Sequence, residues 1–330
     1  MIKNILLSLS ALLLLSACTG KSQYAPKEVL SKITYDANMK SELTDVSRDG
    51  ATYADGKVVS SKRGLLKYKI DNGYRFIYDS RQAIMIADAD GGVKILSNGE
   101  TRFSKKFDFA LSSGALKNNI AALIFSNNTL MLYDIKANKE LYKEVLEPTF
   151  ANDSRLANPL FLNDLVVFPT LDGRLLIMDS VRKVILRDVA ISDKKLFNNV
   201  IFLQERNNIL VAATGTKVIA INPKTINNLR VDVKDIIYDA NAVYIFTKTG
   251  KIIKTDLNLK VQKEIKFPFA IFSAVMGKDK LYAVEKSGYL ISVDKNLENP
   301  QVYEFPSEIN KPLFSLQDRV FFGQHFLKLK

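Results

Sequence analysis

The chain has 330 residues, 47% hydrophobic and 25% charged, with a net charge of +12, one cysteine, one histidine and no tryptophan. It is long enough to bury one large core or two smaller ones. Once Cys18 is committed elsewhere, as argued next, disulfides, thiolate nucleophiles and zinc–thiolate sites are excluded, and carboxylates are the main metal ligands left.

Residues 1–17 carry one early positive charge, Lys3, and the apolar run "ILLSLSALLLL". That run is too short to span a bilayer and has the anatomy of a secretory signal. It ends in Leu15-Ser16-Ala17-Cys18, which resembles the bacterial lipobox. The resemblance implies cleavage before Cys18, acylation of that residue and anchoring by its chains, each buried methylene adding about 0.8 kcal/mol. An ordinary signal peptide with a chance cysteine is the alternative. Thr19 stands where lipoproteins kept in the inner membrane often have Asp, which points to the outer membrane. Residues 18–28 are polar with one proline and are expected to be a tether, at about 3.3 Å per extended residue. No linker follows, so 29–330 is expected to be a single domain. Lys and Arg are scattered through it. The excess charge fits a solvated Lys-rich surface, the sharper alternative being attraction to lipid head groups or an acidic partner. Nucleic acid is not expected as a partner of an exported lipoprotein.

A repeated unit dominates the rest: an alternating apolar run, a turn residue, a second run, an Asp or Asn, and a short polar spacer. Eight hairpin signals are present, from "KVVSSKRGLLKYKI" (57–70) and "AIMIADADGGVKIL" (83–96) to "RVFFGQHFLKLK" (319–330). Their turns are placed at Gly64, Gly91, Asn128, Gly173, Gly215, Gly250, Gly288 and Gly323, residue types that tolerate the positive φ of tight hairpins. Flanks such as "LVVF" and "ILVAA" indicate strands buried on both faces. A period near forty with several short strands per unit predicts an all-β fold, a β-propeller, because one blade cannot bury both faces but a ring of blades can. Eight blades are expected. Seven is the alternative, because the stretch around 70–85 is short for a whole blade. The last hairpin reaches residue 330 without an outer strand, so a segment within Val29–Asp36 is expected to complete the last blade and close the ring.

The fourth unit, "ANPLFLNDLVVFPTLDGRLLIMDSVRKVIL" (157–186), places Asn163-Asp164, Asp172-Gly173, Asp179 and Lys183 as in the pyrroloquinoline-quinone-like propeller repeat, which it resembles. With the lipobox, nearly all of the mature chain is similar to the BamB-like assembly lipoproteins. That resemblance implies a non-enzymatic scaffold in outer-membrane β-barrel assembly, lipid-anchored to the outer membrane and facing the periplasm. Its implied partners are the barrel-assembly proteins and unfolded barrel clients. The family's terminal tryptophan is absent, and Phe103, Tyr142 and Leu186 are expected in its place. The family's contact loop falls on "DSRLANP", which makes Arg155 and the adjacent Leu156 candidate partner-binding residues. Asp193 in "AISDKKL" is the candidate for an acidic contact in the next blade.

Catalytic groups are not evident. His325 sits beside a turn with no nucleophile elbow in the chain. "DADGG" (88–92) opens like a calcium loop, but Gly99 stands where a bidentate Glu is required. There is no P-loop or dinucleotide fingerprint. The tryptophan and vicinal disulfide of quinone dehydrogenases are missing, so neither cofactor nor metal is expected. Channel carboxylates working as a pair stay open. The alternative function is a ligand- or surface-binding propeller lipoprotein, for an envelope glycan or a host protein.

Overall fold

The computed structural model describes residues 23–194 and 196–329. Those residues form an eight-bladed β-propeller without helices. Blades 1 to 8 occupy 43–69, 75–106, 111–145, 160–190, 202–230, 233–266, 272–304 and 313–328. Each is an antiparallel meander, and its strands are called A to D in chain order. The A strands of successive blades, those of blades 4 and 5 apart, touch one another and line the central channel. The seven-bladed alternative is excluded by the stretch that prompted it. Residues Arg75–Asp79 are strand A of blade 2, and Ile84–Ala87 is its strand B.

The repeat has a hydrogen-bonding logic at both ends of each blade. At the C–D turn, one Asp or Asn accepts two backbone N–H groups ahead of it: Asp134 from Lys136 and Ala137, Asp179 from Val181 and Arg182, Asn222 from Lys224 and Thr225. Asp256 and Asp294 do the same in blades 6 and 7. These side chains stand in for a backbone turn. At the B–C turn, the carbonyls of Gly56, Gly91, Asn128, Gly173, Gly250 and Gly288 accept the N–H of Ile70, Phe107, Leu146, Ile191, Phe267 and Phe305, at 2.8 to 3.3 Å. Each of these six blades thus pins the start of its own exit loop. The closeness explains the glycine: at Gly91, with φ of 90°, a Cβ would stand 2.2 Å from the Phe107 carbonyl oxygen.

This contact also corrects the first repeat. The B–C turn of blade 1 is at Gly56, not Gly64, which opens strand D instead. The hairpin read at 57–70 is the C–D hairpin, one strand out of phase with the others, which is why the stretch around 70–85 looked short for a whole blade.

Eight apolar clusters hold the ring, one in each gap between neighbouring blades. "LVVF" and "ILVAA" lie in B strands buried along nearly their whole length. Phe103 and Tyr142 pack against the gaps as expected, but Leu186 does not. Strand D of blade 4 bulges, pairing Arg187 with Ile177 and Ile185 with Met178, which leaves Leu186 unpaired and 49% exposed. Ile185 packs against the gap in its place.

The N-terminal segment closes the ring, though not at the expected residues. The strand that completes blade 8 is Ala37–Asn38, paired antiparallel with Phe326 and His325. Asp36, at the end of the expected window, donates its N–H to the Phe326 carbonyl and accepts that of Lys328. Within the window, Ser31–Lys32 adds in parallel to the outer edge of blade 7. Ile33 and Tyr35 then pack over the gap between blades 7 and 8, and that burial carries the chain across. Tyr24, inside the expected tether, is docked edge-on to Phe267 and Tyr289 between blades 6 and 7.

Candidate functional site

Four-stranded meanders send every inter-blade loop and every B–C turn to one side of the ring, here the loop face. The A–B and C–D turns make up the opposite turn face. Large apolar side chains stand exposed on four of the inter-blade loops: Phe109, Phe150, Leu196 with Phe197, and Phe269 with Ile271. Phe150 is 90% exposed and Phe269 is 59%, so neither contributes much to the core. On the C–D turns, Val181 is the one such residue among those described. Aliphatic groups such as Leu65, Val145, Ile226 and Val261 are also exposed along the outer D strands, but the exposed phenylalanines all stand on the loop face. Apolar groups gathered on one face mark an interaction surface far better than the same number scattered.

Beneath these loops the channel widens into a funnel of about 910 Å³, walled by blades 1 and 4 to 8. Six charged residues line it: Arg48, Asp153, Arg155, Lys234, Asp235 and Lys248. Arg48 comes from the A–B turn of blade 1 and reaches across the ring. Its Nε donates to the Ile201 carbonyl at 2.7 Å, and its Nη1 to Asp235 Oδ1 at 2.5 Å. Ile201 leads into blade 5, diametrically opposite. Asn158, entering blade 4, makes a second tie. Its Nδ2 donates to Asp49 of blade 1 at 2.8 Å, and its Oδ1 accepts the Gly114 N–H of blade 3. Burial pushes the Asp49 carboxyl above its ordinary range, against the pull of Lys62, Asn158 and Arg48.

The structure places Arg155 in the funnel wall. Its Nε donates to Asp153 Oδ1 at 2.8 Å, and its Nη2 contacts the other carboxylate oxygen. Burial alone would raise Asp153, but this bidentate pairing overrides it and holds the carboxyl down at about 2. Leu156 is half-buried and packs against the cluster between blades 3 and 4. Asp193 is exposed and lines a separate hollow of about 540 Å³ with Lys194, Lys217, Arg230 and Asp232. The three candidate contact residues therefore fall in three places: Arg155 in the funnel, Leu156 against the gap between blades 3 and 4, and Asp193 in the blade 4–5 hollow. Cys18 lies outside the described residues.

Other residues here escaped sequence reasoning. Lys234 is held below its ordinary range by burial and then by the charge of Arg155, with Asp235 and Asp153 opposing. Nothing local distinguishes it, Arg48 or Lys248 from other basic residues. The loop aromatics did leave a signal, as lone apolar groups in "EPTFAND" (147–153) and as the run "FPFAIF" (267–272). His325 is occupied at the closing seam, stacked on Tyr35 at 4.1 Å between ring centroids, with Nδ1 2.7 Å from Asn38 Oδ1. "DADGG" forms a B–C hairpin turn in which Asp88 accepts the N–H of Asp90 and Gly92.

No protein-family profile matches the chain. Its sequence is similar to the plasminogen-binding protein PgbB from two strains of Helicobacter pylori. One is 26% identical, covering 98% of this chain and 70% of the relative; the other is 27% identical, covering 98% and 71%. Among solved structures, BamB from Moraxella catarrhalis superposes with a TM-score of 0.67 at 12% identity, covering 91% of this chain and all of that one. The C-terminal WD40 domain of Sif2 gives 0.68 at 10%, covering 92% and 100%. The computationally designed Ika8 protein gives 0.64 at 15%, covering 93% and 100%. These structural likenesses establish the propeller fold.

Proposed function

We propose that this chain is a non-enzymatic docking propeller of the bacterial envelope, lipid-anchored through Cys18 at the outer membrane and facing the periplasm. It serves as a scaffold in β-barrel assembly. The observation that carries the docking role is the set of exposed aromatic and aliphatic side chains on the inter-blade loops of one face. Aromatic anchors on a rigid ring bind protein at low entropic cost. The barrel-assembly setting is supported by the lipobox and by the likeness to BamB in fold. Edge addition has an internal precedent, since Ser31–Lys32 already adds as a fifth strand to blade 7. Client strands would pair in the same way with the outer strands of other blades.

The relationship to PgbB favours a second reading, in which the same face binds a host protein such as plasminogen. Crosslinking of tagged protein in cells, with mass spectrometry of the captured partners, separates the two. Recovery of the barrel-assembly core protein, together with lowered barrel-protein levels after deletion, supports the scaffold. Normal barrel-protein levels with no assembly partner would sink it. Saturable plasminogen binding on intact cells would then favour the host-protein reading.

A further inference from the structure

Within the funnel the charges do not balance. Arg48, Arg155, Lys234 and Lys248 face only two carboxylates, Asp153 and Asp235. Each carboxylate is engaged by one guanidinium, and each guanidinium keeps a buried nitrogen that donates to no group among the described residues: Nη2 of Arg48 and Nη1 of Arg155. Buried donors are normally satisfied, and charged ones most of all. The amines of Lys234 and Lys248 add positive charge with no hydrogen-bond acceptor among those residues. Gly215 leaves room for Lys248, since a Cβ there would stand 3.1 Å from its Nζ. A concave site rimmed by charges of one sign concentrates the opposite ion.

The other side of the funnel carries no charge and is largely apolar, with Ser273 and Ser315 between the apolar groups. Ile271, Leu313 and Phe314 come from blades 7 and 8 and their approach loops, and Phe197 adds to the wall from the loop into blade 5. The volume lies at the upper end of the range for small-molecule sites, and a bare inorganic ion would leave most of it unfilled.

We propose that the funnel is a binding site for a small oxyanion, a carboxylate or phosphate carried on an apolar body, with the charged group held among Arg48, Arg155, Lys234 and Lys248. The guanidiniums supply fixed positive charge beside the two amines, and a small side-chain shift turns their unpaired N–H groups to the anion, as Arg does for carboxylate and phosphate generally. Lys234 adds a titrating component. Its amine faces Arg155 and Asp153 from the loop into blade 4, Asp235 from its own strand, Lys248 from the B–C turn of blade 6 and Arg48 from blade 1. Burial, then the charges of Arg155 and Lys248, hold its pKa down, and an arriving anion relieves that repulsion. Binding therefore takes up protons and weakens as pH rises through the depressed range of Lys234. The site is independent of which protein docks on the loop face above it.

The test is isothermal titration calorimetry of the full-length protein in detergent, with phenyl phosphate, benzoate and inorganic phosphate as probes. The expected result is saturable one-to-one binding of phenyl phosphate or benzoate, at least about tenfold tighter than inorganic phosphate. The stronger of the two aromatic probes identifies the charged group as phosphate or carboxylate. A Lys234→Met, Lys248→Met double variant should lose at least about thirtyfold in affinity with its melting temperature unchanged. Lys234→Arg should retain binding, which guards against reading a folding defect as a lost site. Lys217→Met, in the other hollow, should bind as the native protein does. Equal affinity in the double variant overturns the proposal. So does the absence of saturable binding by any of the three probes.

Discussion

The two faces of the ring are built from the same repeat and do opposite things with it. On the turn face, Asp or Asn at five C–D turns satisfies its own backbone, and the chain turns back within a few residues. Little there is left to bind with. On the loop face, the backbone is also pinned, through the carbonyl of each B–C turn residue. The pinning, however, holds the root of a longer connection and leaves its tip free. The tips carry Phe109, Phe150, Phe197 and Phe269 outward, and the funnel beneath them keeps excess positive charge. Function on a propeller falls where the repeat fixes a loop without dictating its sequence.

That contrast can be broken at its structural base first. Arg48→Met removes the tie across the channel and leaves Asp235 and the Ile201 carbonyl without their cation. A loss of about 3 kcal/mol is expected in urea unfolding, the range for opening a mostly buried pair. Tyr24→Ala deletes a buried aromatic, but at a terminus the cost is capped by local release of the segment. The expected loss is about 2 kcal/mol, with hydrogen exchange accelerating at Leu30 to Ile33 and little elsewhere. On the turn face, Asp179→Ala removes two backbone contacts and should lower the urea midpoint by less than either of these changes.

The loop face has its own acid signature. Asp153 is held at about 2, below the roughly 3.9 of an unfolded aspartate. A depressed carboxyl stabilises the fold fully above its unfolded value and loses that contribution as pH falls from about 4 through 2. Asp153→Asn should therefore lower stability by about 1 kcal/mol at neutral pH, allowing for solvent screening, and the deficit should close towards pH 2. The smallest effect is expected at the loop tips. Phe150→Ser and Phe269→Ser should change unfolding by less than about 0.5 kcal/mol while abolishing partner capture. A core role would reverse that pattern.

The sequence carried what is local and little of what is not. The B–C turns of blades 2 to 8 were visible because Gly or Asn between two apolar runs has a mechanism. Blade 1 slipped by one strand because Gly64 outcompeted the shorter "ADGK" at 54–57. Closure by the N-terminus was legible as a need of the ring. Which residues close it was decided by where Ile33 and Tyr35 find burial, a tertiary matter. The bulge that turns out Leu186 and brings in Ile185 has no signature in the apolar pattern. Arg48 and Asn158 could not be found by spacing at all, since the first meets partners 153 and 187 positions away and the second a partner 109 positions away. The loop aromatics were on view, and only the direction of the loops was missing.

The most direct test of the docking face is site-specific photo-crosslinking in living cells, with the crosslinker placed at Phe150 or Phe269 on the loop face and at Val181 on the turn face. Capture of one protein partner from both loop positions, with none from Val181, is the predicted result. Capture from Val181 alone, or equally from all three positions, would contradict the assignment of docking to the loop face.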